Sequence, residues 1–236
     1  MRIRLIERRP ETVDVISFIF DLGGQPLDYL PGQHLTYTLD ALAFPDQRGN
    51  RRHFTLSSAP SEKGIVMFTT RMRGSGFKET LRHAPIGYEV TCDTPAGRFV
   101  LPKAETRRHV FVAGGIGVTP YRSILRHAVN ANRGIDAVML YHSRSQEEIV
   151  FRSELELLSG AMRTLTLVHV LDEPGPGWAG ETGRPEEALV RRWVADPAGS
   201  LFWLSGPPPF VLAYMELLKR MGVRAGAMRT EGFAGY

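Results

Sequence analysis

Hydrophobic and polar positions change rhythm once along this chain, near residues 102–107. Before that point apolar side chains alternate with polar ones in short runs, at residues 13–20, 34–39, 53–56, 65–71 and 88–92. Gly23-Gly24, Pro31-Gly32, Pro45-Asp46 and Pro95-Ala96-Gly97 punctuate them. A period of two between turn residues predicts β-strands, and residues 1–10, where charged and apolar side chains alternate, read as the first strand. Only residues 76–83 carry helical spacing, so this half is expected to be an antiparallel barrel or sandwich with one short helix.

Beyond Lys103, β-runs at residues 109–113, 137–141, 165–170 and 201–204 take turns with helical segments at 121–130, 148–158, 185–194 and 209–221. These strands look apolar along their length, as strands covered on both faces must be, which predicts a parallel sheet flanked by helices. Residues 172–183, rich in glycine and proline, read as a loop. The expected fold class is therefore β + α/β, with an N-terminal antiparallel β-barrel domain over residues 1–102 and a parallel-sheet α/β domain over residues 103–236.

Composition narrows the classes of function. With 43% hydrophobic and 23% charged residues among 236, disorder and collagen are excluded. The net charge of +4 is shared evenly between the halves, and no basic run exceeds a pair, so a nucleic-acid partner has no footprint here. Cys92 is the single cysteine, which leaves no intrachain disulfide, no CxxC pair and no four-thiolate cluster from this chain; an iron–sulfur partner would be another protein. The opening residues lack the apolar core of a signal peptide. Residues 110–118, the longest apolar stretch, contain three glycines and fall far short of the roughly 20 residues that span a bilayer. A cytoplasmic protein without membrane insertion is expected. His53, His83, His109, His127 and His169 show no metal-ligand spacing and read as structural or surface residues; no metal is expected.

One segment carries chemistry on its own. Ala113-Gly114-Gly115-Ile116-Gly117-Val118-Thr119-Pro120 lies between an expected strand and an expected helix. Glycines let the backbone approach an anion closely, and the free amides at a helix start attract negative charge. It is neither a Walker loop nor GxGxxG, since Pro120 stands in the third glycine's place. Alone, it is as consistent with a close strand-to-helix turn as with a phosphate site.

A second motif lies far upstream. Arg52-His53-Phe54-Thr55-Leu56-Ser57-Ser58 resembles the Arg-x-Tyr-Ser flavin motif of the ferredoxin–NADP reductase family. With the glycine loop and Ser205-Gly206-Pro207-Pro208-Pro209 it makes three motifs in the family's order, and Pro31-Gly32-Gln33, Gly97-Arg98-Phe99 and Glu231-Gly232-Phe233 extend the likeness over nearly the whole chain. The resemblance implies a stand-alone two-domain reductase, an FAD-binding β-barrel followed by an NAD(P)-binding domain.

Carried over, the resemblance gives Arg52 the FAD pyrophosphate, a task suited to a charged planar fork. It puts the ring of Phe54 against the isoalloxazine, the hydroxyl of Thr55 near flavin N5, and His53 and Ser57 in the same cofactor-binding run. Taken alone, Arg52 would equally be a solvated arginine, Phe54 a core residue and Thr55 a strand former. Gly74-Ser75-Gly76-Phe77-Lys78 stands where the family opens a short helix on the FAD phosphates, so the amides of Gly76, Phe77 and Lys78 would bind, with Lys78 replacing the family's usual serine. Thr70 and Arg71 would line the ribityl or adenosine side, or form an exposed strand end. In the second domain Gly114, Gly115, Gly117, Thr119 and Pro120 would hold the pyridine nucleotide, and Gly206 and Pro207 the wall beside the nicotinamide. Ser205 stands where many relatives have cysteine. Glu231 matches the family's C-terminal carboxylate and Phe233 the aromatic that covers the flavin, a role Tyr236 could share.

Nucleotide choice rests on two places. Asp172, after the third strand of the second domain, would repel a 2′-phosphate and favour NADH, whereas Ser143 and Arg144, after the second strand, would favour NADPH. The implied reaction is hydride transfer from C4 of NADH or NADPH to flavin N5, then single electrons to an acceptor protein such as an acidic ferredoxin, a flavodoxin or an oxygenase component. Thr55, Ser205 and Glu231 would adjust the reacting ends. A reductase of free flavin, and a non-catalytic nucleotide-binding electron-transfer subunit, are the alternatives.

Overall fold

Six strands build the first sheet: β1 (Arg2–Thr12), β2 (Val15–Asp21), β3 (His34–Thr38), β4 (Arg51–Thr55), β5 (Ile65–Arg71) and β6 (Glu89–Cys92). The structure is a computed structural model and describes residues 1–233. The order is β4-β3-β6-β1-β2-β5, and every pairing is antiparallel. A bridge between Leu56 and Phe68 returns the chain after β4 to β5 and closes the sheet into a barrel. Alternation sets the faces: in β3, Leu35 and Tyr37 turn inward while His34, Thr36 and Thr38 do not. Ile3, Leu5, Phe18, Phe20, Phe68 and Val90 complete the core.

One helix, α1 (Gly76–His83), packs Phe77 and Leu81 into that core from adjacent turns, and each fully buried side chain contributes about 1.5–3 kcal/mol. Ser75 caps its first turn by accepting from the Lys78 amide.

The second sheet is parallel throughout, with β7 (His109–Gly114), β8 (Ala137–Ser143), β9 (Leu165–Leu171), β10 (Glu181–Thr182), β11 (Leu201–Gly206) and β12 (Met228–Gly232) in the order β10-β9-β8-β7-β11-β12. Its helices are α2 (Thr119–Asn130), α3 (Arg152–Ala161), α4 (Glu187–Trp193) and α5 (Pro208–Arg220). The chain steps outward from β7 through β8 and β9, then crosses to β11, so the order reverses between β7 and β11. Open α/β sheets bind ligands at the carboxyl ends of strands beside such a reversal.

The described residues divide into two compact units, one of Met1–Leu101 with Thr119–His127, the other of Pro102–Val118 and the chain from Ala128 onward. By contacts, the first part of α2 groups with the barrel. Two strands were not expected from the pattern, β10 inside the glycine–proline loop and β12 with only Met228 buried. The helix expected from residue 148 begins at Arg152, because a 3₁₀ turn (Gln146–Glu148) comes first and Phe151 adopts a left-handed conformation, φ +59°. Among the described residues no helix is long and apolar enough to cross a membrane.

Candidate functional site

Strand β4 presents Arg52 and Phe54 on one face, with His53 and Thr55 on the other. Phe54 lies parallel to Phe68, centroids 4.1 Å apart and planes 5° apart, with Tyr37 and Phe77 near its edges. It stays half-buried, so a further aromatic surface remains for a ligand. Thr55 is buried, and His53 is exposed beside the His34 ring at 5.5 Å. The Ser57 hydroxyl is used within the barrel, 2.9 Å from Thr69 Oγ1 and 3.1 Å from the Met67 carbonyl.

Arg52 is buried, and its fork meets the N-terminus of α1 through one carboxylate, that of Asp46. Arg52 Nη2 donates to Asp46 Oδ1 at 2.6 Å. The Phe77 amide (3.1 Å), the Ser75 hydroxyl (3.0 Å) and the Arg48 amide (2.9 Å) donate to the same carboxylate. Burial alone would push this carboxyl up, but the Phe77 and Arg48 amides, the Ser75 hydroxyl and the Arg52 charge together hold it down to about 2. Arg52 Nη1 donates to the carbonyls of Arg48, Gly49 and Arg51. A Cβ on Gly76 would collide with the carbonyls of Phe44 and Pro45, so only glycine lets that segment lie on the helix start.

Lys78 Nζ donates to the Arg71 carbonyl at 2.8 Å, and burial first, then the charges of Arg48 and Arg52, lower its ammonium to about 8. The Arg71 guanidinium turns to Asp14 at 2.6 Å, in the β1–β2 turn. Thr70 is buried beside it. Of the expected residues, Arg52 and Phe77 thus meet one anion directly, with Gly76 between them in sequence and Lys78 bonded to Ser75 and to the Arg71 carbonyl, whereas His53, Ser57 and the Arg71 side chain point elsewhere. The donor set suits an anion such as a phosphate, and the anion it holds is the Asp46 carboxylate.

At the β7–β11 reversal the backbones close tightly. Cβ atoms on Gly114 and Gly206 would fall 2.8 and 3.0 Å from the Phe210 ring, and one on Gly117 would strike the Ser205 carbonyl. Gly115 has φ +52° and Gly206 φ +155°. Thr119 and Pro120, both buried, open α2 directly after the 3₁₀ turn Gly115–Val118. Pro207 precedes α5 in extended conformation. The buried Ser205 and Ser143 hydroxyls have no hydrogen-bond partner among the described residues, leaving polar atoms for a ligand to satisfy. Glu231 pairs in register with Ser205 on β12, and the Phe233 amide donates to the Gly206 carbonyl at 3.0 Å. Tyr236 lies outside the described residues.

Ser143 and Arg144 adjoin Asp172 at neighbouring strand ends: the Asp172 amide donates to the Ser143 carbonyl and the Glu173 amide to that of Arg144. Arg144 Nε stands 3.1 Å from Glu173 Oε1, both side chains exposed. Burial pushes the Asp172 carboxyl up. Asp46, Ser75, Glu173 and Phe210 were not among the expected site residues. Ser75 had a signal, a serine three residues ahead of the amide it caps, but Asp46 read only as a turn residue and Glu173 as part of a loop.

A barrel with a cluster of donors at a helix start, carried in one chain with a parallel sheet that has a glycine turn at its reversal point, suits a protein that binds a flavin and a pyridine nucleotide. Residues 2–101 match the oxidoreductase FAD-binding domain and residues 111–216 the oxidoreductase NAD-binding domain. The chain belongs to the ferredoxin–NADP reductase-like family, in which an FAD-binding oxidoreductase domain is followed by an NAD-binding one. It is 27% identical to the stachydrine N-demethylase reductase subunit of Rhizobium meliloti, over 97% of this chain and 65% of that protein. It is 28% identical to the glycine betaine monooxygenase reductase subunit of Chromohalobacter salexigens, over 98% of this chain and 63% of that protein. The chain thus spans a little under two thirds of these relatives. In fold it is similar to the flavohem-like FAD/NAD-binding domain of nitric oxide dioxygenase from Vibrio cholerae, with a TM-score of 0.83, 21% identity and 98% of each chain covered.

Proposed function

We propose that this protein takes reducing equivalents from NADH and passes them singly to a separate redox protein, an oxygenase component being the favoured acceptor. The observation that carries the acceptor is the likeness to reductase subunits of an N-demethylase and a monooxygenase. Bound FAD supplies the chemistry that links a two-electron donor to a one-electron acceptor. The chain's residues bind and orient. Arg52 and the α1 amides take the diphosphate, Phe54 offers its ring to the isoalloxazine, and Thr55, Ser205 and Glu231 set the polarity at the reacting ends. Gly114, Gly115, Gly117, Gly206 and Pro207 let the nucleotide approach the backbone, and Phe233 covers the flavin.

NADH is favoured over NADPH because this strand end carries two carboxylates, Glu173 paired with Arg144 and Asp172 facing the charge of Arg184, so neither guanidinium is without an acidic neighbour. The test is an anaerobic visible spectrum of the purified protein, taken before and after each nucleotide. A bound flavin band that bleaches faster with NADH is the expected result. A yellow protein that neither nucleotide bleaches would overturn the reading and leave a non-catalytic subunit. A second reading, reduction of exchangeable flavin, has one observation behind it, the seat of Asp46 in the anion cradle; a colourless protein that reduces added flavin would establish it.

A further inference from the structure

The donors that suit a flavin diphosphate are already spent. Asp46 takes the Phe77 amide, the Ser75 hydroxyl and one arm of Arg52, and the carbonyls of Phe44 and Pro45 lie directly over Gly76. The Asp46 side chain is only 6% exposed, so it fills its place instead of bordering it. A diphosphate cannot reach these donors while the segment stays seated, since Arg52 Nη2 is on Asp46 and Nη1 on three carbonyls, and a second anion so close to the Asp46 carboxylate would be repelled by it.

The segment is built to lift. Its base is clamped where the Leu39 amide donates to the Asn50 carbonyl and Asn50 Nδ2 to the Leu39 carbonyl. Between these points Ala43, Phe44, Pro45, Gln47, Arg48 and Gly49 are exposed. Beyond Asp46, its hold on α1 is the Ala43 amide on Thr80 Oγ1 at 3.0 Å, a longer contact from the Phe44 amide at 3.4 Å, and the Phe44 ring 5.1 Å from that of His83. Arg52 Nη1 also holds the segment through the Arg48 and Gly49 carbonyls, and Leu42 packs in part against the barrel core; among these contacts the Asp46 carboxylate is the one a phosphate would compete with directly.

We infer that Asp46 is an internal competitor for the flavin diphosphate: its carboxylate and the cofactor's phosphates occupy the Arg52–α1 cradle in turn, and this exchange sets how tightly the protein holds FAD. The inference rests on the reading of Arg52 and the α1 amides as the diphosphate site. It makes retention of flavin a property of one side chain and joins the two readings above, since a strong latch gives exchangeable flavin and a weak one a resident cofactor.

The test is flavin binding to the chain stripped of flavin, followed by quenching of flavin fluorescence. Riboflavin, which has no phosphate, is the control. Asp46→Asn keeps the size of the side chain and removes its charge; FAD should bind about tenfold tighter or more, with riboflavin changed by less than about twofold. Unchanged or weaker FAD binding, or an equal gain for riboflavin, would overturn the inference. Should Asp46→Asn fail to fold, hydrogen exchange on the unaltered chain decides: FAD but not riboflavin should speed exchange of the Arg48 and Gly49 amides, and unchanged rates with FAD bound would refute it. Arg52→Ala separates the two layers. If it binds FAD as the unaltered chain does, the diphosphate reading fails; if it binds FAD weakly while Asp46→Asn shows no gain, the competitor alone fails.

Discussion

Arg144 and its two acidic neighbours illustrate how selectivity is decided residue by residue. The guanidinium is exposed and its pair with Glu173 is exposed too, so the ion pair itself contributes little to stability. On the proposed placement of the nucleotide, an incoming 2′-phosphate would meet a cation already paired, beside a further carboxylate at Asp172. Replacing both acids, Asp172→Ser with Glu173→Ser, should raise kcat/KM for NADPH relative to NADH by roughly fivefold or more, since each screened charge acts at short range in water. Adding Arg144→Ala should cancel the gain. A ratio that stays the same in the double variant would mean the 2′-position of the nucleotide lies elsewhere. The place of Asp172 after an apolar β-run and of Arg52 in its motif can be read in the sequence. The contacts of Glu173 and Asp46 cannot, because the folded backbone alone brings their partners near.

Among the elements, α2 shows where pattern reading runs out. Its alternation with strands was plain, because β7, β8 and β11 are buried along their whole length and so read as unbroken apolar runs. Its contacts with the barrel were hidden, since beside Tyr121 against Phe99 they include two side chains that look like an ordinary polar helix face. Arg122 Nη1 donates to the Ser57 carbonyl at 2.6 Å and to Glu62 Oε2 at 3.0 Å, and Nη2 reaches Glu62 Oε1 at 3.2 Å. Ser123 Oγ donates to the Ser58 carbonyl at 2.6 Å. Arg122 is 3% exposed, so Arg122→Ala would strand a half-buried carboxylate and a buried carbonyl, costing about 3–5 kcal/mol. The melting temperature should drop by roughly 10 °C, and Arg122→Ala with Glu62→Gln should recover part of the loss. A single variant that melts within 2 °C or so of the parent would show that this contact does not hold α2. Strand β12 escaped the pattern for a related reason: Met228-Arg229-Thr230-Glu231-Gly232 is an edge strand, and its pairing with β11 needs no apolar run.

At the scale of the whole molecule, acid should act unequally on the two units. Burial lowers His109, His142 and His169, all in the second unit, and His34 in the first. The sign follows from linkage. An unfolded histidine takes up a proton below about pH 6.5, whereas His142, buried with Nε2 at 2.6 Å from the Tyr214 hydroxyl, does so only near 4 in the fold. Stability from this residue is therefore complete above about pH 6.5 and is lost as pH falls toward 4, to a total of about 3 kcal/mol. Asp46, held at about 2, loses its contribution in a lower window, below the ordinary aspartate value of about 3.9. The three tryptophans, Trp178, Trp193 and Trp203, all lie in the second unit, so indole fluorescence reports that unit alone. Denaturant midpoints followed by tryptophan should fall between pH 7 and 4.5 by more than those followed by a barrel probe, and His142→Gln should flatten the tryptophan curve by about one proton's worth. The histidine count was visible in the sequence, but not the shift: His142 sits at the end of the apolar β8 run, and only the ring of Phe210 and the hydroxyl of Tyr214 closing over it make it costly to charge. A tryptophan curve of equal slope in His142→Gln would place the acid sensitivity in the other buried imidazoles, His109 and His169.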